Sequence, residues 1–68
     1  MTKDKDIEEL YGKAAELLEN IWTAEDAGDA AAEERKWLSK YYDALEQLTG
    51  DSRSHIFCKV YALAAEDY

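Results

Sequence analysis

Apolar residues recur at steps of three and four along most of the chain. The first run takes Ile7, Leu10, Tyr11, Ala14, Leu17, Leu18, Ile21 and Trp22. The second takes Trp37, Leu38, Tyr41, Tyr42, Ala44, Leu45 and Leu48, and the third Ile56, Phe57, Val60, Tyr61, Leu63 and Ala64. Such steps put each set on one side of an α-helix. The pattern therefore predicts three helices, over about 6–27, 30–49 and 52–67. At about 100° per residue each apolar set spans an arc of roughly 160°. A seam between only two helices needs less, so each helix is expected to face two neighbours. The expected fold is all-α: an antiparallel three-helix bundle, made of a helical hairpin and a shorter third helix, in a single domain over residues 1–68.

The junctions carry their own signals. Gly-Asp occurs at Gly28-Asp29 and again at Gly50-Asp51. Glycine suits the left-handed residue that ends a helix, and aspartate caps the next N-terminus. Asp51 and Ser52 compete for the cap of the third helix. Asp6 and Glu9 have the spacing of a capping box, which sets the expected start of the first helix. Gly12 falls off the apolar face and weakens that helix slightly.

A short turn folds the first two helices into antiparallel neighbours. Reflecting the numbering about Gly28-Asp29 then sets Trp22 against Trp37, Ile21 against Leu38 and Leu18 against Tyr41. It also sets Leu17 against Tyr42, Ala14 against Leu45 and Tyr11 against Leu48. Eight of the 68 residues are aromatic, too many for so small an interior. Trp22, Trp37, Tyr41 and Phe57 are expected in the core. Tyr42, Tyr61 and Tyr68 are left for a partner or a second copy, since tyrosine is favoured at binding hot spots.

Charge sharpens this picture. The formal net charge is −8, which disfavours direct contact with nucleic acid or an anionic membrane and favours a basic partner. Residues 1–28 contribute −5 of it, residues 29–50 −2 and residues 51–68 −1. Glu9, Glu16, Glu19 and Asp26 share one stripe of the first helix, interrupted by Lys13, with Glu8 close by. Such a stripe matches a groove lined by lysine and arginine and competes there with phosphates. An ordinary solvated helix face has the same composition.

Catalytic chemistry is hard to assemble. The mirror sets Glu25 against Glu34 near the turn, and paired carboxylates can share a proton or hold a cation. Bundle di-metal sites also require Glu-x-x-His pairs, and His55 is the only histidine. Solvated carboxylates beyond the last packed layer are the expected reading. Cys58 has no base at useful spacing and is expected to fill space at the edge of the third helix. No phosphate-binding loop and no metal-ligand spacing occurs, so no cofactor and no metal are expected.

The lone cysteine and the lack of an apolar signal segment point to a cytoplasmic protein. In size and charge the chain is similar to small acidic inhibitors encoded by phages and mobile elements, including many anti-CRISPR proteins. Such a likeness implies a non-enzymatic module that docks on a basic nucleic-acid-binding protein and blocks it. The alternative is a self-associating structural or adaptor module.

Overall fold

A computed structural model describes residues 2–68 and contains three α-helices: α1 over Thr2–Asp26, α2 over Ala32–Thr49 and α3 over Arg53–Asp67. No strand occurs among the described residues. The helices pack on one another in a three-helix bundle, with α3 lying more extensively on α1 than on α2.

The first helix starts earlier than its capping-box signal. Asp6 and Glu9 lie inside α1 and do not mark its beginning. The stretch from Thr2 to Asp6 holds no proline or glycine, so nothing in it stops the helix. The helix ends where expected. Gly28 adopts a left-handed φ of 86°. Its N–H donates to the carbonyl of Glu25 at 3.0 Å, and the Asp29 N–H donates to that of Ala24 at 2.8 Å. These two bonds form a Schellman ending, which satisfies carbonyls that would otherwise be orphaned.

The second helix begins two residues later than expected. Asp29 does accept a backbone N–H, but from Ala31 at 3.1 Å, in a tight Asx turn ahead of the helix. Ala31 then sits in the left-handed region at φ 53°, which costs a non-glycine residue on the order of 1 kcal/mol. Its side chain is 98% buried in the core, so packing holds the strained backbone in place. The Ala31 carbonyl accepts the first helical bond, from the Arg35 N–H at 3.0 Å. At the other end, Gly50 (φ 75°) closes α2 by donating to Glu46 at 2.9 Å. Ser52 wins the cap of α3 and accepts the His55 N–H at 3.3 Å.

The core is small. Tyr11, Ala14, Ala15, Leu18 and Ile21 come from α1, Leu38, Tyr42 and Leu45 from α2, and Ile56, Val60 and Ala64 from α3, with Ala31 at the turn. Among the described residues no charged side chain is buried. On α2 the buried residues are spaced by four and three, and they define the stripe that faces inward.

That stripe corrects the expected aromatic core. Trp37 lies about 100° behind Leu38 on the helix. It is therefore turned to the flank and is 53% exposed, with the Lys40 ammonium 4.5 Å above its ring. Phe57 is likewise one position round from Ile56 and is exposed. Tyr41 and Trp22 are half-buried, packed against the margin of the core. Tyr42, expected at the surface, occupies the inward position and is only 8% exposed. The mirror relation preserves level along the two helices, but it does not fix rotation about them.

Two stability predictions follow from this packing. Leu45 is fully buried, so Leu45→Ala should cost about 2–5 kcal/mol. For a domain of this size that approaches the whole of its stability, and thermal unfolding should show a melting transition close to ambient temperature or none. Gly12 lies inside α1, and a methyl group there would meet nothing within 4 Å. Gly12→Ala should therefore add about 1 kcal/mol and raise the melting temperature by roughly 4 °C or more.

Candidate functional site

The acidic stripe and the tyrosines occupy two adjoining surfaces. On α1 the carboxylates of Glu8, Glu9, Glu16, Glu19 and Asp26 lie within an arc of roughly 100°, on the side away from Ala14, Leu18 and Ile21. Glu8, Glu9, Glu16 and Asp26 are exposed and Glu19 is half-buried. Lys13, which interrupts the stripe in sequence, turns toward α2 and lines a groove with Leu17, Asn20 and Trp37.

Elsewhere some acids are matched within the chain, while Glu33, Glu34, Glu66 and Asp67 have no salt-bridge partner among the described residues. Arg53 donates to Asp43 and, at 2.9 Å, to Glu46, tying the start of α3 to α2. These contacts hold the Arg53 guanidinium above its ordinary pKa, the hydrogen bond to Glu46 first among them. His55 Nε2 stands 3.9 Å from the Asp51 carboxylate. Glu25 pairs with Arg35, not with Glu34, and Arg35 also donates to the Ala30 carbonyl at 2.9 Å. Glu25 thus serves as an anchor of the turn, and Glu34 is half-buried near it. Among the described residues no lysine or arginine lies within salt-bridge distance of Glu8, Glu9, Glu16 or Glu19.

Beside this edge runs a chain of aromatic rings. Tyr42 meets Phe57 edge-to-face at 6.3 Å, and Phe57 meets Tyr61 at 6.0 Å. Trp22 meets Tyr61 at 5.3 Å and Tyr68 at 5.1 Å, both edge-to-face. The Tyr68 hydroxyl donates to Asp26 at 2.8 Å, which raises the tyrosine's pKa. The last turn of α3 and the end of α1 are therefore joined by an aromatic and a polar contact. Tyr61 is 50% and Tyr68 59% exposed. Both lie on the surface as expected, whereas Tyr42 is withdrawn beneath Phe57.

The outward side of α3 is the surface that the helical periodicity did not reveal. Ser54, Cys58, Tyr61, Ala62 and Ala65 are all exposed, and none carries a charge. Phe57 lies beside them and is also exposed, whereas the exposed Leu63 lies on another side of the helix, in a cleft with Tyr11, Gly12 and Lys59. Cys58 is a free thiol in solvent, not the packing residue expected. A helix apolar on every side is ordinarily covered on every side. The signal was present in the sequence: from Ile56 to Ala65 the only charged residue is Lys59.

Among the described residues no group of three or more metal-ligating side chains occurs, and no helix is long and apolar enough to cross a membrane. The chain matches no known protein family, no curated protein and no solved structure.

Among the described residues two buried hydroxyls have no hydrogen-bond partner, those of Tyr11 and Tyr42. Burial raises the pKa of both. The negative charge of Asp51 adds to the shift at Tyr11, and Arg53 opposes it at Tyr42. A tyrosine whose pKa is raised by folding stabilises the fold below its unfolded value of about 10, and that stability is lost as pH climbs through and above it. Chemical denaturation should show stability falling above about pH 10. Because the hydroxyls lack partners, Tyr11→Phe and Tyr42→Phe should each leave stability unchanged or raise it by about 1 kcal/mol, and each should blunt the alkaline loss.

Proposed function

We propose that this protein is a non-enzymatic protein-binding module whose acidic α1 face docks on the basic surface of a nucleic-acid-binding protein and blocks it. The observation that supports this reading is the concentration of acids without ion-pair partners on one side of α1. Asp43, Glu46 and Glu25 have arginine partners in their own chain. Glu8, Glu9, Glu16 and Glu19 on α1 have none among the described residues, on a helix with a net charge of −5. Like charges crowded on one helix face cost a few tenths of a kcal/mol per close pair. A surface of lysine and arginine relieves that repulsion and gains attraction from several carboxylates at once.

Mechanistically, the carboxylates stand in for the phosphates of the nucleic acid that such a groove accepts. Attraction between opposite fields accelerates encounter, and contacts made at close range then hold the complex. Direct binding to nucleic acid is disfavoured by the same charge. Small size and acidity are shared with phage-encoded inhibitors of the anti-CRISPR kind. The exposed thiol of Cys58, with no second cysteine to pair with, suits action in a reducing cytoplasm.

The test is a tagged capture from lysate at about 50 mM and about 300 mM salt, with quantitative mass spectrometry of what is retained. A basic nucleic-acid-binding protein should be enriched at low salt and lost at high salt. The triple variant Glu9→Gln, Glu16→Gln, Glu19→Gln should retain it roughly tenfold less well, chiefly through slower association. Capture that is indifferent to both salt and the triple variant would sink the proposal.

A further inference from the structure

Between α1 and α3 lies a cleft of about 540 Å³, lined by Glu8, Tyr11 and Gly12 of the first helix and Lys59, Ala62 and Leu63 of the third. That volume is within the range of small-molecule sites. Single positions in the sequence create it. Glu8 and Gly12 are four residues apart on α1, as Lys59 and Leu63 are on α3, so each pair shares one face of its helix. Gly12 brings no side chain, and a methyl group there would meet nothing within 4 Å. Ala62 on the facing helix brings only a methyl group. Glycine inside a helix weakens it relative to alanine, and here it leaves the backbone of α1 bare toward the cleft.

The walls are apolar and the charges are few. Leu63 is 41% exposed, whereas Tyr11 is almost buried at 8%. The Tyr11 hydroxyl has no hydrogen-bond partner among the described residues. The Lys59 ammonium stands 5.3 Å from the centre of the Tyr11 ring, a cation–π contact that keeps it at the cleft. Glu8 contributes a carboxylate from the other helix. Neither of these exposed charges has an ion-pair partner among the described residues, and they do not pair with each other.

We infer that this cleft binds a free α-amino acid with a large apolar side chain. Charge complementarity selects that occupant. An apolar cleft with an unmatched carboxylate on one helix and an unmatched ammonium on the other is complemented by an apolar body that carries both opposite charges. A simple anion would be repelled by Glu8 and a simple cation by Lys59, while a hydrocarbon would leave both charges unmatched. An α-amino acid carries its ammonium and carboxylate on one carbon. The ammonium goes to Glu8 and the carboxylate to Lys59, so that the ligand bridges two charges that do not reach each other. Its side chain then covers Leu63 and Ala62 and lies on the bare backbone at Gly12. Most of the lining is exposed, so affinity is modest. A ligand of about a dozen non-hydrogen atoms at ordinary efficiency binds with a Kd of about 1 mM.

The test is an NMR titration of the isotope-labelled chain with L-phenylalanine up to about 10 mM. Amide shifts should concentrate around Glu8–Gly12 and Lys59–Leu63 and saturate with a Kd of about 1 mM. Glycine, which lacks the apolar body, should shift nothing. Phenylacetate and phenethylamine each lack one of the two charges and should bind roughly threefold more weakly, the size of one exposed ion pair. Glu8→Gln should weaken phenylalanine roughly threefold without weakening phenylacetate, and Lys59→Gln should do the same without weakening phenethylamine. Gly12→Leu sets a side chain in the cleft with a good helix former. It should weaken phenylalanine at least roughly tenfold while circular dichroism shows the helices intact.

Absence of shifts at the highest concentration overturns the site, as does binding indifferent to Gly12→Leu. Equal binding of phenylalanine and either single-charge probe overturns the amino acid as occupant and leaves an apolar group alone. Glu9, Glu16 and Glu19 lie outside the cleft. Their glutamine variants should leave phenylalanine binding unchanged, so failure here is separable from failure of the docking proposal.

Discussion

Rotation of α2 about its own axis decides most of what this molecule presents to solvent. That rotation is set within the turn that precedes the helix. Asp29 holds the Ala31 N–H, Ala31 is driven into a left-handed conformation, and Arg35 reaches back to the Ala30 carbonyl and to Glu25. With the start of the helix pinned this way, Leu38, Tyr42 and Leu45 turn inward and Trp37 turns out. Tyr42 then supplies the edge on which Phe57 rests, and Phe57 begins the line of rings that ends at Tyr68. The strain at Ala31 is sustained because its methyl group is buried at the same time.

The existence, order and approximate ends of the helices were legible in the sequence because each depends on local chemistry. Steps of three and four mark a helix whatever packs against it, and glycine followed by a polar cap marks its end. Rotation was not legible, because it depends on a turn conformation that an alanine rarely adopts. The mirror argument put Glu25 level with Glu34 and Trp22 level with Trp37. Toward α3, Glu25, Trp22 and Leu18 line one cleft with Arg35, Leu38 and Tyr42, each one position from its expected partner. One position is about 100° of helix, enough to exchange Tyr42 for Tyr41 in the core and to leave a tryptophan in water. The same limit applies to the site. The acidic stripe needed only the period of one helix to be found, and it lies where that period puts it. Which acids are already matched depended on long arginine side chains crossing between elements, and no spacing rule announces those.

Scarcity of core links the two surfaces. A chain of 68 residues buries about a dozen side chains, and eight aromatic rings exceed what such an interior can hold. The surplus rings must lie on the rim, where they pack edge-to-face on one another and keep partial exposure. Rim aromatics beside an acidic edge give the molecule an apolar area and a charged area within reach of the same partner. Tyr68 joins them by stacking on Trp22 and donating to Asp26. A change at Asp26 therefore acts on the aromatic surface as well as on the acidic one.

The distribution of charge gives the two surfaces separate physical logic. The α1 stripe acts over distance: its field extends about one Debye length, near 8 Å at physiological salt, and its influence on association weakens as salt rises. The outward side of α3, where Cys58, Tyr61 and Ala65 are exposed and uncharged, acts only in contact. The two surfaces still touch, because Trp22 of α1 stacks on Tyr61 and Tyr68 and the Tyr68 hydroxyl donates to Asp26. A helix neutral in a chain of net charge −8 is costly to maintain as mere solvated surface, since exposed cysteine, leucine and phenylalanine gain nothing from water.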